Sequence, residues 1–167
     1  MAEKALGQLA GQNVDREAVL IALGGGIVGD LTGFIASIYK RGVRFVQIPT
    51  TLLAQVDSSI GAKNALNLKE GKNLVGTHNP PLTVIVDTSV LSSLPKRELA
   101  NGLAEAIKCG IIWNKRLFAY IEKRIDKQDG KFYQNLVVKS IKSKVQITDK
   151  DPEELGIRKI INYGHTV

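Results

Sequence analysis

Ala18-Val19-Leu20-Ile21-Ala22-Leu23, continuing as Gly24-Gly25-Gly26-Ile27-Val28-Gly29-Asp30-Leu31, reads as a short apolar strand, a tight glycine turn and the opening of a helix. Apolar residues then recur at helical spacing as far as Tyr39. Gly24, Gly26 and Gly29 satisfy the G-x-G-x-x-G pattern in the context that gives it meaning: a strand precedes it, and the helix after it begins with amide N–H groups able to hold a phosphate. A conventional dinucleotide site also needs an acid at the end of the second strand to bind the ribose hydroxyls. Here that strand ends Gln47-Ile48-Pro49-Thr50. The turn therefore reads either as a phosphate or dinucleotide cradle or as a structural turn, and a conventional Rossmann dehydrogenase is disfavoured.

Residues 44–48 alternate before Pro49, residues 50–56 can form a short helix, and the β-branched run 83–86 closes at Asp87. Strand and helix alternate, which predicts an α/β unit. Residues 57–81 are rich in Gly, Asn, Lys and Ser and predict a long polar loop, a feature that in a compact domain is usually functional. From Ser89 onward strand signals stop, and helices are expected over 96–112, 115–125, 131–148 and 157–163, with breaks at Asp129-Gly130 and Asp151-Pro152. The expected organisation is an α/β N-terminal lobe, residues 1–88, followed by an α-helical lobe, residues 89–167.

Composition narrows the class. The chain has 167 residues, 44% hydrophobic and 23% charged, which excludes collagenous, mucin-like and largely disordered chains. No apolar run approaches the roughly 18 residues that span a bilayer, and the first residues lack a basic start followed by an apolar core. The expectation is a soluble, unexported, cytoplasmic chain without a membrane partner. The single cysteine, Cys109, excludes an internal disulfide and a cysteine-cluster metal site. The net charge of +7 is uneven, with 8 basic and 7 acidic residues in 1–88 against 15 and 9 in 89–167. The basic half lacks aromatic interleaving or a nucleic-acid-binding signature, so its cations read as solvated helix faces or as a site for a small anion, with no nucleic acid partner.

Within the polar stretch, Asp57, Lys63, Lys72 and Asn73 sit beside Ser58, Ser59, Gly61 and Gly71. Two lysines in a glycine-flexed loop suit an anion; the alternative is a solvated connection. Glu105 and Lys108, three apart on one helix face, form either an intrahelical ion pair or part of a site. A carboxylate and an imidazole, as Glu105 and His165 offer, are two-thirds of a three-ligand catalytic zinc site, for which a third ligand is needed. His78 reads as a bystander.

These motifs, in this order, resemble 3-dehydroquinate synthase, a sugar phosphate cyclase. The resemblance rests on Gly24 to Leu31, on Arg41-Gly42-Val43-Arg44-Phe45, on Pro49-Thr50-Thr51-Leu52-Leu53-Ala54-Gln55-Val56-Asp57-Ser58-Ser59, on Gly71-Lys72-Asn73-Leu74, on Leu94-Pro95-Lys96-Arg97-Glu98, and on the segments around Glu105 and His165. It implies a dehydroquinate synthase-like fold in which residues 1–88 are part of an NAD-binding domain and 89–167 part of a metal- and substrate-binding domain. It implies NAD held by Gly26, Ile27, Val28, Gly29, Asp30, Thr50, Thr51, Lys63, Lys72, Val90, Leu91, Ser92 and Ser93. Asp57, Lys63, Asn73, Lys108, Lys144, Arg158 and Asn162 match substrate-contacting positions, and Arg41 one that reaches the substrate phosphate across a homodimer interface. Glu105 and His165 match ligands of Zn2+ or Co2+. The implied reaction is that of a phosphorus–oxygen lyase of the shikimate pathway: 3-deoxy-D-arabino-heptulosonate 7-phosphate becomes 3-dehydroquinate plus phosphate, with NAD catalytic rather than consumed. Arg158 favours this carboxylate-bearing substrate over neutral sugar phosphates.

Two departures from the family pattern stand out. Gly61-Ala62-Lys63-Asn64 occupies the place of Gly-Gly-Lys-Thr, so Ala62 restricts the turn before Lys63 and Asn64 alters a neighbouring hydrogen bond. The chain has roughly half the family's length, without the acidic ribose-binding motif and the second zinc histidine. The expectation is the central part of a synthase, incomplete as a catalyst. The alternatives are another cyclase, or a truncated relative that binds NAD or an anion without turnover.

Overall fold

In the computed structural model, which describes residues 1–164, Val19–Gly24 (β1) runs parallel to Arg44–Pro49 (β2), with Gly24 opposite Pro49. Gly26–Ile38 (α2) follows the glycine turn and connects the two strands. Thr83–Val84 (β5) pairs in parallel with the other edge of β2, giving the order β1-β2-β5. The strand–turn–helix expected from residues 18–39 is therefore present. An additional helix, Ala2–Gly11 (α1), was not expected. Its Leu6 and Leu9, with Val14, pack on a core of Ile35, Ala36, Tyr39, Val43 and Phe45, and the Tyr39 hydroxyl donates to the Val14 carbonyl at 2.8 Å. Ala22 is buried on the α2 side, whereas Ile21 and Leu23 are each 64% exposed on the other, unusual for parallel strands, which are commonly covered on both faces.

The expected loop over residues 57–81 is largely a β-hairpin. Lys63–Leu68 (β3) and Gly71–His78 (β4) pair antiparallel, with an irregularity between Leu66 and Leu68. The hairpin escapes a pattern search because almost every β4 side chain is exposed, so there is no apolar alternation to read.

The molecule divides into two compact units, one made of Met1–Pro49 with Ala62–Val86, the other of Thr50–Gly61 with the residues from Asp87 onward. The division falls between Val86 and Asp87, two residues before the expected one, and Thr50–Gly61 joins the helical unit instead of the α/β lobe. Gln55 supplies one reason: it is fully buried, and its Nε2 donates to the Asp87 carbonyl at 2.9 Å.

The helical unit contains Lys96–Ile112 (α3), Lys115–Arg124 (α4) and Gly130–Lys150 (α5), close to the expected spans. Its caps explain its boundaries. Asn114 accepts from the amides of Arg116 and Leu117, and Asp129 accepts from Phe132 N at 2.8 Å, so the expected break at Asp129-Gly130 is the start of α5. Leu117, Ile121, Phe132, Leu136 and Val137 are buried in its core. A Cβ on Gly110 would lie 2.9 Å from Phe118 N, so the chain turning from α3 into α4 approaches a position that only glycine leaves open.

Candidate functional site

In the α/β unit the glycine turn lies at the carboxyl end of β1, where ligands of open parallel sheets bind. Gly25 caps α2 without a side-chain hydrogen bond, and no acidic residue occupies the first turn. Ile27 is 77% exposed. A Cβ on Gly24, which has φ +158°, would meet Val28 at 2.7 Å, and one on Gly29 would meet Gln47 Oε1 at 3.1 Å. Gly26, Ile27, Val28, Gly29 and Asp30, the residues expected at the cradle, form the first turn of this helix, whose N-terminal amides are of the kind that can hold an anion. The same unit carries Lys63, Lys72 and Asn73 on the β3–β4 hairpin, all exposed, and Arg41, exposed with φ 67°. Asn73 has φ 57°, and its amide donates to Asn67 Oδ1 at 3.3 Å. His78 pairs with Lys63 across the hairpin.

In the helical unit, one π-helical turn, Ala54–Ser58, positions Asp57. The preceding Thr51 hydroxyl accepts from Ala54 N at 3.2 Å, and Ser59 Oγ donates to the Ala54 carbonyl at 2.7 Å, so the turn is tied at both ends. Such turns are frequent at functional sites. Lys144 Nζ, from α5, donates to the Asp57 carbonyl at 2.5 Å and to its Oδ1 at 2.6 Å. Glu105 and Lys108, from α3, form a second ion pair, the intrahelical pair that their spacing allowed. Both pairs line one small cleft, of about 20 Å3, together with Val56, Cys109, Ile112, Ile147 and Ile161.

Cys109, whose sequence reading was a small buried hydrophobe, is half-buried and lines the cleft. It stands one helical turn past Glu105, and that i,i+4 spacing was a readable signal. Burial pushes its thiol up. A hydrogen bond with the Ser143 side chain opposes this, Asp57 reinforces it, and Lys144 and Lys108 oppose it more weakly. The cleft therefore holds a protonated thiol at neutral pH rather than a nucleophilic thiolate.

Arg158 and Asn162 lie on the 3-10 turn Ile157–Asn162. Arg158 is buried; its Nη1 donates to the Pro152 carbonyl at 2.7 Å and its Nε stands 3.6 Å from Glu154 Oε2. Asn162 Nδ2 donates to Glu154 Oε1 at 2.8 Å. Thr50 is half-buried. Val90, Leu91, Ser92 and Ser93 fall in a second 3-10 turn, Thr88–Ser93, and Leu91 and Ser92 line a wider groove with Lys96, Leu99 and Tyr133. His165 lies outside the described residues. Among the described residues no three His, Cys, Asp or Glu side chains gather as a metal site, and Glu105 offers a hard carboxylate oxygen at the cleft. No helix of the described residues is long and apolar enough to cross a membrane.

A parallel strand ending in a glycine turn that opens a helix, and a helical unit bearing a cleft of paired lysines and carboxylates, define an α/β-plus-helical class. The family described as 3-dehydroquinate synthase N-terminal matches residues 1–101, and 3-dehydroquinate synthase C-terminal matches residues 102–167. The chain belongs to the 3-dehydroquinate synthase family. It is 49% identical over 162 residues to the 3-dehydroquinate synthase of Dictyoglomus thermophilum, an alignment covering 95% of this chain and 46% of that protein. Among solved structures, 2-epi-5-epi-valiolone synthase from Streptomyces hygroscopicus subsp. jinggangensis 5008, with NAD+ and Zn2+ bound, superposes with TM-score 0.91 at 30% identity, over 98% of this chain and 47% of that one. A 2-deoxy-scyllo-inosose synthase complexed with carbaglucose-6-phosphate, NAD+ and Co2+ gives TM-score 0.90 at 30% identity, over 98% and 46%. The chain spans about half the length of the curated relatives it matches.

Proposed function

We propose that the chain is the part of a 3-dehydroquinate synthase that carries the nucleotide cradle and the anion-binding cleft of the active site. The substrate is 3-deoxy-D-arabino-heptulosonate 7-phosphate and the products are 3-dehydroquinate and phosphate. The observation that carries this reading is the cleft in which the Asp57–Lys144 and Glu105–Lys108 pairs meet. Two ammonium groups held at a partly apolar cleft attract a polyanionic sugar phosphate, and their paired carboxylates hold them in place until it arrives. Family membership and near-half identity to curated synthases support the choice of reaction.

NAD would lie over Gly26, Ile27, Val28, Gly29 and Asp30, with Lys63 and Lys72 toward its phosphates and Thr50, Thr51 and Val90, Leu91, Ser92, Ser93 completing its site. Glu105 and His165 would hold Zn2+ or Co2+. When bound, NAD takes up and returns a hydride, and the ion polarises a substrate oxygen. The chain's own residues do the rest. Lys108 and Lys144 neutralise developing negative charge, Asp57 orients Lys144, and Asn73 hydrogen-bonds the substrate. Arg158 and Asn162 favour a carboxylate-bearing substrate, and Arg41 contacts the phosphate across a homodimer. The reading places the protein in the cytoplasm, in aromatic amino acid biosynthesis, without nucleic acid or membrane partners.

The two cyclase neighbours favour one second reading, a relative acting on a neutral sugar phosphate. Phosphate release by the native polypeptide, loaded with NAD and Zn2+ or Co2+, separates the two. Release from the heptulosonate phosphate and none from glucose 6-phosphate is expected, and the reverse preference would overturn the assignment.

A further inference from the structure

Asn64 is a polar residue in a place where polarity needs a reason. Among the described residues of β3 and β4 it alone is buried, at 2% exposure, while the rest of the hairpin faces solvent or is half-covered. Its Nδ2 donates to the Ala62 carbonyl at 3.0 Å and to the Asn79 carbonyl at 2.8 Å, so both amide hydrogens are used across the open end of the hairpin. Asn79 N closes the same end on the Ala62 carbonyl at 2.7 Å, and Asn79 Nδ2 donates to the Gly33 carbonyl of α2 at 3.1 Å. Gly33 completes the fit: a Cβ there would stand 1.9 Å from Asn64 Oδ1. Asn64, Asn79 and Gly33 thus form a polar clamp between the hairpin and α2, whose first residues are the glycine turn.

We infer that Asn64 is a positioning residue that sets the register of the β3–β4 hairpin and so presents Lys63 to the bound nucleotide. In a hairpin with one buried apolar face, burial would select the register. This hairpin has no such face, and strands of that kind are prone to slip. A slip of one residue would turn Lys63 inward and Asn64 outward, because neighbouring side chains on a strand point to opposite faces. The clamp prevents it: only Asn64 at the inward position satisfies both the Ala62 and Asn79 carbonyls while fitting the space over Gly33. Lys72 and Asn73 ride on the paired strand and are placed by the same register. The inference rests on the nucleotide-binding reading for its consequence, while the clamp itself is a statement about hydrogen bonding.

The test uses the native polypeptide with Asn64→Asp, which keeps the shape and removes both donors, and Asn79→Asp, which removes only the bond to Gly33. Hydrogen exchange is followed across residues 63–78, and NAD binding is titrated by calorimetry. The expected result for Asn64→Asp is exchange roughly tenfold faster in residues 63–78, unchanged exchange in α3–α5, and affinity for NAD roughly tenfold weaker. The Trp113 unfolding transition, which reports the helical unit, stays in place. Asn79→Asp should show a smaller change of the same kind, and it decides the matter if Asn64→Asp does not fold. Unaltered exchange over residues 63–78, or faster exchange with undiminished NAD affinity, would overturn the inference. Failure of the unsubstituted protein to bind NAD would instead sink the nucleotide-binding reading, and exchange would still decide whether the clamp exists.

Discussion

Adding one methyl group at Gly102 tests how α3 is seated. Gly102 is buried in α3, one turn before Glu105, and a Cβ there would lie 2.5 Å from Leu53 N and 2.6 Å from Leu52 Cβ and Cγ. Ordinary contact begins at 3.4 Å, so the overlap is about 0.9 Å. Leu52 is fully buried and cannot swing aside, and the nearest atom belongs to the backbone. Overpacking of this kind costs about 1–3 kcal/mol, toward the upper end where backbone must move. Alanine returns about 1 kcal/mol of helix propensity over glycine. The Gly102→Ala protein should therefore be less stable by about 1–2 kcal/mol, a fall of roughly 2–8 °C in Tm for a chain of this size. Trp113, the sole tryptophan, follows α3 directly and reports urea unfolding of this unit by fluorescence. Leu52 and Leu53 lead into the turn that carries Asp57, so a displaced seat also shifts Asp57 relative to Lys144. A variant as stable as the parent, or more stable, would refute the close approach of α3 to Leu52 and Leu53.

Two further outcomes are expected. A double-mutant cycle with Lys144→Met and Asp57→Asn should give a coupling of about 1–2 kcal/mol in urea unfolding, below the value for a fully buried pair because the Asp57 side chain keeps 28% exposure; additivity within 0.3 kcal/mol, as for independent sites, would contradict the contact. Asp151 is held below the usual carboxylate range, chiefly by the Arg158 amide; desolvation opposes this, and the Gly156 and Leu155 amides and the Arg158 charge reinforce it. Its folded-state pKa is thus below its unfolded one, so its stabilisation is complete above the ordinary carboxylate pKa and is lost as pH falls through the lowered value. Acid below the ordinary carboxylate range should loosen Ile157–Asn162 in the parent, read by hydrogen exchange, while Asp151→Asn should abolish that pH dependence.

Much of this architecture is legible in the chain because it is local. Residues 18–39 announce strand, glycine turn and helix through apolar spacing and three glycines, and α3, α4 and α5 through amphipathic spacing with Asn114 and Asp129 as caps. Family motifs named Asp57, Glu105, Lys108 and Lys144 without any knowledge of contact. The hairpin was illegible for a physical reason: its strands bury one polar residue and no apolar face, so the period-two signal that betrays a strand is missing.

What the sequence by itself determined was therefore the alternation of elements, the cationic balance and the family, each set by neighbours within a few turns of chain. Tertiary structure alone decided that Thr50–Gly61 belongs with helices that begin past residue 87, through Gln55, and that Lys144 reaches Asp57 across 87 positions of sequence. It alone decided that Cys109 lines the cleft and that Asn64 packs over Gly33 from the hairpin. Each of these depends on hydrogen bonding and desolvation between residues distant in the chain, and no local periodicity encodes which distant partner a buried polar group will meet.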